Sequence, residues 1–240
     1  MRATAFAVPA NYVLAALPRA AYRGMLARLE RVPFDLGKVL YEAGTSPRHV
    51  YFPNDSMVSL IGMTQERDPL ELGLVGREGM VGCNLALGVA LSPTGALVQG
   101  AGSAMRMGAA DFSREFHRNP SLRREVLRSA GVQMATAMQI AACNNAHRLQ
   151  PRLARWLLMT RDRLATNRFA MTQEFLAYML GTRRSTVNAG AGALQRAGLI
   201  TYSRGIIVIS DRERLRAAAC SCYEGIRRLT ARTHGFARSS

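Results

Sequence analysis

Residues Met171–Ile209 read MTQEFLAYMLGTRRSTVNAGAGALQRAGLITYSRGIIVI. Their local chemistry spells two short helices, a tight turn between them and a two-stranded hairpin. Thr172 is a cap for the first helix, Glu174 sits in its first turn, and Met171 and Leu176 are spaced as a hydrophobic staple. Phe175, Leu176, Met179 and Leu180 fall on one helical face. Gly181 breaks the helix where a sharp turn requires positive φ. The second helix opens near Thr182 and turns Val187, Ala191 and Leu194 inward. It stops at Gly198, with Arg196 in its last turn. Its outer face near the N-terminus carries Arg183, Arg184, Ser185 and Asn188, the donors and acceptors that a major-groove reader needs. Leu199–Tyr202 and Ile206–Ile209 make the hairpin through Ser203-Arg204-Gly205, which places Arg204 at a wing tip for a phosphate contact. The alternative is a helical pair arising by chance with solvated arginines. The hairpin and the local charge favour DNA.

Outward from this segment, composition sets bounds. A chain of 240 residues is long enough for two modest domains. Formal net charge is +16, unevenly spread: residues 151–240 hold 16 Lys+Arg against 5 Asp+Glu (+11), residues 1–150 hold 16 against 11 (+5). The C-terminal part is therefore the footprint for a polyanion, although membrane surfaces are polyanionic too. The N-terminus lacks the pattern of a signal peptide. Gly79–Met105 is uncharged and long enough for a membrane span, but Pro93, Asn84, Gln99 and repeated Gly divide it into short elements. Cys83, Cys143, Cys220 and Cys222 read as scattered reduced thiols, and Cys220-x-Cys222 is poor spacing for zinc, so no metal site is expected.

An amphipathic helix is expected over Asn11–Glu30. From Val32 to Met107, short apolar or alternating runs separated by Gly, Pro, Asn and Asp suggest a sandwich or barrel of about eight strands. Glu66, Asp68 and Glu71 lie on or beside a hairpin turn and read as solvated. Asp111 caps a short helix. Asn119-Pro120 opens a long one reaching about His147, uncharged from Ser129 to Ala146. Leu127, Met134, Met138 and Ala141 recur in it at near-heptad spacing, which fits pairing with the same helix of a second subunit; a core helix within one chain is the alternative. A hinge follows near His147–Pro151. In RLARWLLMTRDRL, Leu153, Trp156, Leu157 and Leu164 are expected inside and Arg152, Arg155, Arg161 and Arg163 outside. Ser210-Asp211-Arg212-Glu213 reads as a capping box for a basic helix to about Arg232, with a disordered HGFARSS tail.

Catalytic patterns are missing. His49, His117, His147 and His234 are isolated, and the sequence contains no HExxH, Walker A, GxGxxG or GxSxG. The expectation is that the chain is not an enzyme and has no catalytic residues.

With LYEAGTSPRHVYFP, LGLVGREGMVG, RLARWLLMTRDRL and LGTRRSTVNAGAGALQRAGLI, the chain resembles the Crp–Fnr family of bacterial transcription regulators over about Leu14–Tyr223. The resemblance implies an α+β chain: residues 1–118 as an N-terminal helix and jelly-roll sensor barrel like a cyclic-nucleotide-binding domain, 119–147 as a dimerisation helix, and 148–240 as a winged helix–turn–helix domain. It implies a cytoplasmic homodimer on palindromic operators in double-stranded DNA, with RNA polymerase as a further partner and no membrane association. The effector pocket maps to Gly79, Gly82, Cys83 and Thr94. Nucleotide-binding members have a Gly-Glu pair and an Arg beside Ser or Thr at the cyclic phosphate. Here Cys83 follows Gly82, and no Arg lies between Arg77 and Arg106, so a cyclic phosphate lacks its fork and no cofactor is expected. The first 80 residues hold no Cys, which excludes an N-terminal iron–sulfur cluster. Cys83 reads either as a redox handle or as a buried structural thiol. Arg184 matches the family's base-reading Arg, Ser185 replaces a frequent Glu, and Ala189 a second Arg. The expected function is a sequence-specific regulator independent of cyclic AMP. The alternatives are a signalling module with a vestigial helix–turn–helix and a non-specific basic nucleic-acid binder.

Overall fold

The computed structural model describes residues 9–64 and 67–234. The chain enters through α1 (Tyr12–Ala15), α2 (Arg19–Met25) and a 3-10 turn (Leu26–Arg28). The single helix expected over Asn11–Glu30 is thus broken, because Pro18 has no amide to continue α1. Asn11 holds this entry in place. Its side-chain oxygen caps α1 at the Val13 amide (3.0 Å), and its amide donates to the carbonyls of Pro53 and Gly79.

Seven strands follow among the described residues: β1 (Glu30–Phe34), β2 (Val39–Tyr41), β3 (His49–Pro53), β4 (Met57–Thr64), β5 (Arg67–Val75), β6 (Gly95–Gly100) and β7 (Gly102–Gly108). They form two antiparallel sheets, ordered β1-β7-β3 and β2-β6-β4-β5, in a jelly-roll arrangement. Phe34, Tyr51, Val58, Val75, Val81, Ala96, Val98 and Ala104 pack between them. The stretch between β5 and β6 adds no strand. Instead it makes a 3-10 turn (Cys83–Leu87) bracketed by Gly82 (φ 89°) and Gly88 (φ 75°), which end extension where only glycine sits without strain.

Next come α3 (Ala109–Arg118) and α4 (Pro120–Ala146). Gly108 rather than Asp111 precedes α3, and Asp111 lies in its first turn. Asn119 caps α4 by accepting from the Leu122 amide (3.1 Å), with Pro120 in the first turn. Leu122 and Val126 press α4 onto the barrel beside Val13, Leu14, Phe52, Met80 and Phe112. Leu127, Met134, Met138 and Ala141 all point to solvent in the single chain, Met134 at 60% and Met138 at 64% exposure.

The C-terminal region holds α5 (Leu149–Leu164), β8 (Arg168–Ala170), α6 (Gln173–Leu180), α7 (Arg184–Arg196), β9 (Ile200–Ser203), β10 (Ile206–Ile209), α8 (Arg212–Ala218) and α9 (Cys222–His234). Trp156, Leu157, Leu176, Val187, Leu194, Ile207 and Ile226 make its core, which runs on without a break into Met57 and Leu74 of the barrel and Ile140 of α4. The basic helix expected from residue 211 to about 232 is two helices turning at residues 219–221. The turn lets α9 fold back on α4 and bury Tyr223 and Ile226. Asp211, not Ser210, is the cap, accepting from the Arg214 amide (2.9 Å). The tail beyond His234, with Glu66 and the side chain of Asp68, lies outside the described residues.

Two further expectations are corrected where barrel and C-terminal region meet. Arg152, Arg155 and Arg163 are buried, not outward. Arg163 pairs with Glu78 (2.8 Å) and donates to Leu74 O, while Arg152 donates to Leu180 O. Helical spacing puts these arginines on the polar face of α5, but other elements cover that face: the barrel meets Arg163, the end of α6 meets Arg152, and Cys143 and Cys220 lie near Arg155. Glu71 is likewise 4% exposed rather than solvated. It accepts from Trp156 Nε1 (2.8 Å) and Ser59 Oγ (2.8 Å), so a barrel carboxylate is bonded to the indole of α5. Burial pushes its pKa up to about 7, against the opposing pull of the two hydrogen bonds and of Arg155 and Arg163.

Candidate nucleic-acid interface

Local signals build the helix–turn–helix. Thr172 Oγ1 accepts from the Phe175 amide (3.1 Å) and starts α6. Gly181 ends it in the left-handed conformation (φ 59°), and the Thr182 amide donates to Ala177 O (3.0 Å) to close the turn. Gly181 also lies against β5: a Cβ there meets Leu70 Cδ1 at 2.9 Å. The tight turn of the motif therefore rests on the barrel. Val187, Ala191 and Leu194 bury one face of α7, and Gly198 (φ 71°) follows its end.

The opposite face is open. Arg183, Arg184, Ser185 and Asn188 are all exposed, with Arg183 at the cap position and Arg184 the first residue of α7. Among the described residues, Arg183, Arg184 and Arg204 have no ion-pair partner, so their guanidinium groups are available. Gln173 Nε2 donates to Asn188 Oδ1 (3.0 Å), which leaves the Asn188 amide hydrogens facing outward and ties α6 to α7. Sequence reading misses this role of Gln173; its spacing carries no such signal.

The wing is three-stranded, in the order β8-β10-β9, with β8 an addition to the hairpin that the sequence indicates. Arg204 (φ 49°) and Gly205 (φ 73°) both adopt positive φ, as a two-residue hairpin turn demands. Two bonds hold the wing in place: the Tyr202 amide donates to Gln195 Oε1 of α7 (2.6 Å), and Tyr202 OH to Met171 O just before α6 (2.7 Å). Thr172, Gln173, Arg184 and Tyr202–Gly205 together line a cleft of about 320 Å³ between α7 and the wing. Three of the residues singled out in the sequence, Thr172, Arg184 and Arg204, thus share one concave surface, with Ser185 and Asn188 on the adjoining helix face.

A second cavity, of about 350 Å³, lies between the barrel and α4. Gly79, Gly82, Cys83 and Thr94 all line it, with Tyr41, Leu74 and Val75 from the sheets and Ser129, Gln133 and Thr136 from α4. The one guanidinium lining it among the described residues is Arg163, already paired with Glu78. Cys83 donates to Gln133 Oε1 (3.3 Å), and burial pushes its thiol up, away from the reactive thiolate. Thr230 of α9 reaches the same cavity, so barrel, long helix and C-terminal region all line it.

The remaining cysteines are not scattered, and His147 is not isolated. Cys143, His147, Cys220 and Cys222 converge at the end of α4, although up to 79 positions separate them in the chain. No helix among the described residues is long and apolar enough to cross a membrane.

Residues 151–218 match the model of the Crp-like helix-turn-helix domain. No curated protein matches the chain. Solved structures do. FixK2 from Bradyrhizobium japonicum superposes with a TM-score of 0.68 at 15% identity, covering 80% of this chain and 98% of its own. Two transcriptional regulators of Thermus thermophilus superpose at 0.66. One, of the CRP/FNR family, is 23% identical and covers 79% of this chain and 98% of its own. The other, of the CRP family, is 19% identical and covers 79% and 96%. At these identities the likeness is one of fold.

Proposed function

We propose, for a chain whose residues 151–218 are a Crp-like helix-turn-helix domain on the fold of the Crp/Fnr regulators, that it binds a specific DNA operator as a homodimer and regulates transcription. The observation that carries this is the cleft in which Thr172, Arg184 and the Arg204 wing turn meet, with Arg183, Arg184 and Arg204 free of acidic partners among the described residues. Arg184 and its neighbours at the start of α7 read base edges in the major groove. Arg204 and the wing amides hold phosphates and set the register. The dimer forms along α4, where Leu127, Gly131, Met134, Met138 and Ala141 are exposed at intervals of 4, 3, 4 and 3. That is a heptad seam, with Gly131 allowing close approach. Two copies then present recognition helices to half-sites about one duplex turn apart.

The barrel cavity serves as the sensor. Its apolar lining, and a guanidinium committed to Glu78, support a small apolar effector over a cyclic phosphate. Its signal passes through the contacts that join barrel to DNA-binding region: Glu71 to Trp156, Glu78 to Arg163, and Leu70 against the Gly181 turn.

Fluorescence anisotropy tests the reading, on the DNA upstream of the chain's own coding region and on a scrambled duplex, across a salt series. A preference of about 10³ or more for the native duplex is expected. Arg184→Ala is expected to cost about 1–3 kcal/mol on that duplex only. Equal, salt-steep binding to both duplexes and an indifferent Arg184→Ala overturn it in favour of a non-specific binder.

A further inference from the structure

We propose that Cys143, His147, Cys220 and Cys222 form a closed site for one zinc-class divalent cation, which staples the end of α4 to the α8–α9 junction. The four candidate ligand atoms all lie within 4.8 Å of one another. Cys143 Sγ is 3.5 Å from Cys220 Sγ, and Cys222 Sγ is 3.8 Å from His147 Nδ1. A tetrahedral ion with Zn–S bonds of about 2.3 Å and Zn–N of about 2.0–2.1 Å sets its ligand atoms roughly 3.5–3.8 Å apart, so the side chains already stand near the required spacing. An iron–sulfur cluster needs its ligands spread further, around several irons. Three sulfurs and one imidazole is also a donor set that selects zinc over calcium or magnesium, which prefer oxygen.

The backbone prepares the site from both sides. Cys143 and His147 are four residues apart at the end of α4, so their side chains share one face. Cys220 and Cys222 flank the turn between α8 and α9; the bend there, which the sequence does not announce, turns both sulfurs to one side despite their close spacing. The end of α4 offers the negative pole of a 27-residue helix to the cation, and the start of α9 offers amide donors to the thiolates. Gln139 Nε2 adds a bond to Cys222 Sγ (3.2 Å), an outer contact of the kind that orients a ligand.

Charge supplies an independent observation. Three thiolates, one neutral imidazole and a divalent ion carry a net charge of −1. Arg155, 2% exposed, lies within electrostatic reach of both Cys143 and Cys220. Its Nε has no hydrogen-bond partner, and it has no ion pair among the described residues. Glu71 acts on Arg155 electrostatically but does not pair with it; a buried guanidinium with no carboxylate at ion-pair distance is costly by itself and is compensated by an anionic metal centre. All three cysteines are buried, which leaves the ion no open position for a substrate and makes the site structural. On the regulator reading, the staple also sets how α9 and the winged helix sit against the dimer seam, but the site stands without that reading.

The test uses the full-length reduced protein, stripped with a chelator and titrated with Co²⁺, without DNA. Equimolar binding is expected, with visible ligand-field bands of a tetrahedral ion and thiolate charge transfer in the near ultraviolet. Zn²⁺ then displaces Co²⁺ with an affinity of about 10⁻⁸ M or tighter. Cys83→Ser, outside the site, is expected to leave the spectrum unchanged, and Cys222→Ser to lose most of the charge transfer. Zn²⁺ is also expected to raise the thermal midpoint of the wild type, a readout that needs no variant. A reduced wild-type protein with four titratable thiols and no cobalt spectrum overturns the proposal. So does a spectrum that Cys83→Ser abolishes and Cys222→Ser does not.

Discussion

Replacing Glu71 with glutamine removes a buried titration at the joint between barrel and C-terminal region, and its effect can be worked out in advance. In the folded chain Glu71 is shut away from water and titrates at about 7, whereas an unfolded glutamate titrates near its ordinary 4.5. Below the lower value both states hold the proton and the carboxyl's contribution to stability is fully present. As pH rises, the unfolded state ionises first, so it is favoured, and stability falls until the folded group ionises too. At 1.36 kcal/mol per pH unit, a window from about 4.5 to about 7 removes about 3 kcal/mol. The glutamine side chain stays neutral throughout: its oxygen accepts from Trp156 Nε1, and its amide nitrogen, in place of Oε2, donates to the Ser59 hydroxyl oxygen. Urea unfolding of wild type and Glu71→Gln at half-unit steps from pH 4.5 to 8 gives the difference directly. That difference is expected to move by about 3 kcal/mol in the variant's favour across the window, then level off. For a chain of this size this corresponds to about 6–12 °C in Tm. Parallel profiles for the two proteins would refute the reasoning, since they mean that Glu71 ionises alike in both states.

Three other outcomes follow from the same geometry. Met138→Glu puts a charge on the exposed α4 seam and is expected to shift the chain from dimer to monomer in sedimentation velocity, with little change in circular dichroism; an unmoved dimer places the interface elsewhere. Gly181→Ala forces a Cβ into left-handed backbone and against Leu70, and is expected to cost about 1–2 kcal/mol or more in urea unfolding. Calorimetric titration with cyclic AMP is expected to show no micromolar binding, because the cavity offers no free guanidinium among the described residues; a micromolar isotherm rejects that account of the pocket.

Much of the winged helix–turn–helix region is legible in the sequence because its signals are local. Thr172, Gly181, Gly198 and the Arg204-Gly205 turn act within a few residues of themselves, through caps and positive φ, and they stand where the sequence reading puts them. The exposed stripe of α4 is legible for a similar reason, since periodicity along one helix needs no knowledge of its neighbours. The errors share a cause. Charged residues normally face solvent, and on that ground alone the sequence places Arg152, Arg155, Arg163 and Glu71 outside. Each is instead covered by elements distant in the chain, Arg163 and Glu71 where barrel and C-terminal region dock and Arg152 against the end of α6, and only tertiary packing supplies those surroundings.

The amino-acid order by itself determined the element types, the helix–turn–helix, the basic surface of α7 and the wing, since propensity, capping and patterning are written residue by residue. The tertiary structure alone decided which distant groups meet. It brought Glu71 to Trp156 across 85 positions and gathered Cys143 and His147 with Cys220 and Cys222. Those encounters depend on burial and chain return, which set the charge state of a carboxylate and the spacing of four ligands, and neither quantity exists until the core has closed.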